Sequence, residues 1–107
     1  MIYKFKCKVS GDIIMMGPTG DALLRAIGRE PARQGIIEAA ACAPAMAAVE
    51  QAVAADEAAR AEAERDATAR GDTLPAHDGI GLRQRLWPMV DMFKRAAAAG
   101  EPVVWGV

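Results

Sequence analysis

Near the N-terminus, Tyr3, Phe5, Cys7 and Val9 alternate with Lys4, Lys6 and Lys8. Successive side chains of a strand point to opposite faces, so this pattern buries one set and leaves the lysines in water. A helix would scatter both sets around its axis. Residues 2–9 are therefore expected to form a strand, and a strand with one wet face needs a layer packed on the other.

The rest of the chain supplies the partners. Ser10-Gly11 reads as a turn and residues 12–16 as a second short strand, which makes an N-terminal hairpin closed by Gly17-Pro18. Thr19 or Asp21 is placed to cap a short helix carrying Leu23, Leu24 and Ile27 on one face, with Gly28 as its stop and Pro31 preventing resumption. Gly35-Ile36-Ile37 can dock as a loop or as a short extended piece, and its residues do not decide which.

Pro44 suits the first turn of a long second helix running to about Arg70. Met46, Val49 and Val53 share one narrow stripe of this helix, but further along the same stripe holds Glu57, Arg60 and Glu64. The first half can pack on a core, whereas the second half has only alanine to offer and should project. Pairs such as Asp56–Arg60 and Arg60–Glu64 support it locally by roughly 0.2–0.5 kcal/mol each, too little to dock it. Residues 71–81 read as a loop. A third helix over residues 82–99 presents Leu82, Leu86, Met89, Val90, Phe93 and Ala97 as a wide apolar stripe, with Pro88 on the solvent side, where a missing donor costs least. Pro102 then leads into a terminal strand over residues 103–107.

The expected fold is one α+β domain over residues 1–107. A small, mostly antiparallel three-stranded sheet, the hairpin plus the C-terminal strand, is covered by three helices in the order β-β-α-α-α-β. The chain's 107 residues suffice for a core without staples. With aromatic residues at 5%, that core rests on few large side chains: Tyr3, Phe5, Ile13, Ile14, Leu23, Leu24, Ile27, Leu86, Phe93 and Trp105, with methionines as fillers.

Charge and motif content restrict function. The formal net charge of -1 gives no global field for nucleic acid or an anionic membrane. Locally the balance is uneven: residues 39–79 carry three basic and eight acidic groups between two mildly basic ends. Cys7 and Cys42 match no metal or redox spacing, and with no signal peptide or spanning segment in view they are expected to be free thiols of a cytoplasmic protein. Cys7 should face the core and Cys42 should sit exposed in an alanine-rich linker.

His77 beside Asp78 lacks the companions a metal site needs and reads as an exposed loop histidine. No base accompanies either cysteine, so neither reads as a nucleophile. Gly17-Pro18-Thr19-Gly20-Asp21 lacks the lysine of a phosphate-binding loop and is explained by a turn and a helix cap. No catalytic, cofactor or metal constellation emerges, and the chain reads as a non-enzyme without a cofactor.

One cluster stands out. Trp87 falls outside the apolar stripe of the third helix, between Arg83 and Lys94. An aromatic flanked by cations can hold an anionic ligand or stack a base, can be covered by another subunit, or can pack under its own arginine. Arg83, Trp87 and Lys94 are thus the candidate ligand or interface residues.

The segments MIYKFKCKVSGDIIMM, LLRAIGREPARQGII, LRQRLWPMVDMFKRA and PVVWGV, in that order, resemble a family of bacterial proteins catalogued as domain of unknown function 1840. The resemblance covers essentially the whole chain and is weakest in the alanine-rich middle. It implies a small stand-alone bacterial protein and carries no site residues. The functional expectation is a module acting through protein contacts as a homo-oligomer, a dimer. The alternative is a regulatory module binding an anionic small molecule or single-stranded nucleic acid. Membrane association is not expected, and nucleic acid is the weaker partner class.

Overall fold

A computed structural model describes residues 2–72 and 81–106, and in it the alternating N-terminal segment does form a strand, β1 (Ile2–Lys6). Tyr3 and Phe5 point into the core, and their rings stack with centroids 5.8 Å apart. The strand stops earlier than the alternation suggests. Residues 7–9 turn out of the sheet, with the Ser10 N–H bonded to the Cys7 carbonyl, so Val9 is exposed while Cys7 stays buried. β2 (Ile13–Met16) pairs antiparallel with β1, matching Ile2 to Met16, Tyr3 to Met15 and Lys4 to Ile14.

Helix α1 (Gly17–Ala26) begins directly after β2, with Pro18 in its first turn. No side chain caps it: Met16, in extended conformation, holds the cap position, and neither Thr19 nor Asp21 does. Proline's fixed φ starts the helix without help, because its missing N–H is one of the groups left unpaired there in any case. At the other end Gly28 has φ +80°, and the Gly28 and Arg29 N–H groups bond back to Arg25 and Leu24.

The undecided segment becomes β3 (Gly35–Ile37), so the sheet has four strands rather than three. β4 (Val103–Trp105) runs antiparallel to β1 on one side and to β3 on the other, giving the order β2-β1-β4-β3. Trp105 explains why Gly35 can start β3: the indole lies against it, and a Cβ there would come within 2.4 Å of the ring. The indole N–H donates to the Ala32 carbonyl at 2.9 Å, which ties the preceding loop to β4.

Helix α2 (Ala39–Ala69) starts five residues before the expected boundary and leaves Pro44 inside it. Ala39–Ala43 includes four of the best helix formers, and Glu38 in extended conformation holds the cap position. Pro44 lies exposed, so the lost donor faces water. This earlier start also corrects the expectation for Cys42. It sits in the first turn of α2, fully buried, with its thiol directed at the Glu38 carbonyl, 3.4 Å away.

Helix α3 (Leu82–Ala99) matches its expected span. Leu86, Met89 and Phe93 are fully buried, each contributing about 1.5–3 kcal/mol relative to exposure. Gly100, at φ +69°, closes the helix, and the Glu101 N–H returns to the Ala96 carbonyl. The helices and one sheet face enclose a core of Tyr3, Phe5, Leu23, Leu24, Phe93 and Trp105, filled in by valines and methionines. Ile13 and Ile27 only border it, and Ile14 lies outside it. Among the described residues no helix is long and apolar enough to cross a membrane.

Candidate interaction surface

Among the described residues, no helix or strand is layered on the second sheet face. Because Tyr3, Phe5 and Met15 point inward, their neighbours Ile2, Lys4, Ile14 and Met16 must point outward. Ile14 and Met16 are each 65% exposed and Ile2 61%. The same pleat turns out Ile36 and Val104, which are paired across β3 and β4, with Lys6 beside Val104. The outcome is two apolar corners, Ile2/Ile14/Met16 and Ile36/Val104, joined by a diagonal of lysines. Lys4 is bridged to Asp12 at 3.5 Å. Beyond Val104 the face runs into an apolar depression of about 300 Å³ beside Cys7, bordered by Lys6, Lys8, Glu101 and Pro102.

Sequence reading anticipated the lysines and missed the apolar corners. The segment Ile13-Ile14-Met15-Met16 is apolar throughout, so no alternation reveals which side chains lie outside. Its lack of any charge was the available signal, since an outer strand usually carries one.

The three singled-out residues of α3 are only partly brought together. The Arg83 guanidinium lies 4.6 Å from the Trp87 ring centroid. The same guanidinium donates two hydrogen bonds to Glu57 on α2, at 3.0 and 2.8 Å. This pairing holds the Glu57 carboxyl below, and the Arg83 guanidinium above, their usual ranges. Trp87 remains 39% exposed. Lys94 is exposed two turns further along, about 10 Å away on the helix axis. Arg83 is thus committed to α2 and to covering the indole, the intramolecular packing that its position also allowed. Between α2 and the start of α3 lies a cleft of about 420 Å³, whose charged walls pair with each other as Arg83–Glu57 and Arg60–Glu64.

The second half of α2 keeps its helix past the core. From Ala54 to Ala69 only Ala67 is buried and only Arg60 half-buried. Arg83 of α3 reaches this half through its pair with Glu57. At 100° per residue, Ala55, Ala58, Ala59, Glu62, Asp66 and Ala69 form its outer face, opposite Val53, Glu57 and Glu64, and all six are exposed.

Two buried polar contacts are structural. The Tyr3 hydroxyl donates to Asp21 at 2.5 Å, and burial together with this carboxylate pushes its pKa up to about 12. Burial, with Cys7 nearby, pushes the Cys42 thiol up as well, while a backbone hydrogen bond with Val103 pulls the other way. Both cysteines are free thiols. Among the described residues no group of three or more His, Cys, Asp or Glu side chains could hold a metal ion. His77 and Asp78 lie outside the described residues.

With this geometry in place, comparison with known proteins shows that the family model described as Domain of unknown function (DUF1840) matches residues 1–105. The chain belongs to this family. Neither a curated protein nor a solved structure matches it.

Proposed function

We propose that this DUF1840 protein is a non-enzymatic contact module that self-associates, with the open sheet face as its binding surface. One observation carries this reading. Four of the six large apolar side chains exposed among the described residues, Ile2, Ile14, Met16 and Ile36, are gathered on that face. Grouped exposure of this kind marks interaction sites, whereas single exposed residues need no explanation. Two free thiols support a reducing, cytoplasmic setting.

The competing role for Arg83, Trp87 and Lys94, as a site for an anionic small molecule or single-stranded nucleic acid, has less support. A ligand would have to draw Arg83 away from the two hydrogen bonds it already makes to Glu57. Sedimentation velocity over a wide range of protein concentration tests the main reading. Growth of a discrete dimer with concentration is expected, and a strict monomer at the highest concentration refutes self-association.

A further inference from the structure

We infer that a second copy of this chain joins the first at the outer edge of β2, the two β2 strands pairing antiparallel about a two-fold axis. The inference rests on the self-association reading and adds where the contact is made.

The edge itself demands a strand. β2 ends the order β2-β1-β4-β3, and among the described residues no strand lies on its other side. Every second residue of such a strand turns its N–H and C=O away from the sheet. Natural edges are blunted by a charge, a proline or a bulge. Ile13-Ile14-Met15-Met16 carries no charge and no proline, and its register with β1 runs without a bulge.

Symmetry selects which strand. The opposite edge, β3, has three residues and lies between Arg33 and Glu38. Joining β2 of one copy to β3 of the next is a head-to-tail contact, which leaves an open edge at each end and does not close. β2 paired with β2 uses the same edge on both copies and closes as a dimer.

Side-chain chemistry agrees. Residues opposite each other in an antiparallel pair lie on the same face, so the outward side chains of both copies share one side of the joined sheet. Whether the axis passes Ile14 or Met15, Ile14 and Met16 of one copy stand beside those of the other. These two are each 65% exposed in the single chain, and Ile2, paired with Met16, extends the patch by one strand. Lys4 is paired with Ile14 across β1 and already bridged to Asp12, so it stays out of the seam. On the inner face, Gly20 of α1 packs against Tyr3 of β1, which draws that helix in from the edge.

The seam is short. Four residues rise about 14 Å, too little to bury the roughly 1,200–2,000 Å² of a stable interface. The expected dimer is accordingly weak and exchanges quickly with monomer.

Two measurements on the full chain test this seam. Ile14→Glu with Met16→Glu sets carboxylates against each other across it, and sedimentation equilibrium should show dimerisation at least about tenfold weaker. Ile14→Lys with Met16→Lys should weaken it similarly, and an equimolar mixture of the two variants should restore a mixed dimer. Amide hydrogen exchange is the second measurement. Raising the concentration of the unaltered chain through its dimerisation range should slow exchange in residues 13–16 and leave residues 35–37 unchanged.

A glutamate variant that dimerises like the unaltered chain overturns the β2 seam and leaves self-association standing, as does a mixture of two folded variants that stays monomeric. Sheets stacked face to face form no new backbone bonds, so a dimer whose exchange at residues 13–16 is unchanged overturns the seam as well. An unaltered chain that never dimerises overturns both readings. Should the lysine variant misfold by crowding Lys4, as circular dichroism would reveal, the glutamate variant and the exchange experiment decide without it.

Discussion

Replacing Gly20 by alanine should destabilise the protein, although alanine is the better helix former. Gly20 lies within α1, where the substitution ordinarily gains about 1 kcal/mol. Here the added methyl would come within 2.0 Å of Tyr3 Cδ2 and 2.6 Å of Cγ and Cε2. Carbon atoms pack at about 3.5–4.0 Å, so something must move by about 1.5 Å. The ring has little room to yield: it is stacked on Phe5, and its hydroxyl is held by Asp21.

Overpacking of this kind costs about 1–3 kcal/mol, and a ring held at both ends belongs at the upper limit. After subtracting the gain in helix propensity, a net loss of about 2 kcal/mol is expected. Urea unfolding followed by circular dichroism measures it as a lower midpoint at unchanged slope. Gly11→Ala is the control, since no heavy atom lies within 4 Å of its added Cβ and its φ is not in the left-handed region. It should be neutral or slightly stabilising. If Gly20→Ala is as stable as the unaltered chain, the close packing of Tyr3 against α1 is wrong.

Alkaline unfolding should follow Tyr3. Its pKa rises from 10.0 to about 12 on folding, so its contribution is complete below pH 10 and is lost as pH climbs towards 12. Tyr3 is the only tyrosine, and tyrosinate absorbance therefore follows it alone; ionisation at the ordinary value in the folded protein would contradict this burial. Cys7 and Cys42 should resist a thiol reagent in native buffer and react together on unfolding, whereas rapid native labelling of Cys42 would contradict its place in the first turn of α2. Phe93→Ala removes a fully buried ring and should cost about 3–5 kcal/mol by urea unfolding, enough to leave a small domain largely unfolded.

The elements legible in the sequence were those whose pattern repeats. The apolar residues of α3 recur over five turns, and its span could be read to the residue. The alternation of Tyr3 and Phe5 with lysines was long enough to orient β1. β3 has three residues, too few to show a period, and gains its identity only by pairing with β4. Pro44 points to a first-turn position, yet an exposed proline is also tolerated further in, and α2 starts at Ala39. That earlier start is what buries Cys42. Of the candidate site, the lysines were visible and the isoleucines were not, because Ile13-Ile14-Met15-Met16 offers no contrast between inside and outside. The Arg83–Trp87 contact was readable from helical spacing, whereas Glu57 lies 26 residues away and only tertiary structure brings it to Arg83.

The position of β4 in the sheet governs the order in which this protein can fold. β4 separates β1 from β3, so the hairpin and β3 share no ladder until Val103–Trp105 slots between them. Phe5 pairs with Trp105 across nearly the whole chain, a closure among the slowest contacts a small domain can make. At a synthesis rate of about 5–20 residues per second, β1 waits about 5–20 s for its second neighbour. For that interval a nascent hairpin bearing Ile2, Ile14 and Met16 has an unsatisfied edge on each side. The finished sheet is thus locked by its last strand, and the span before that strand emerges is when a chaperone has most to do.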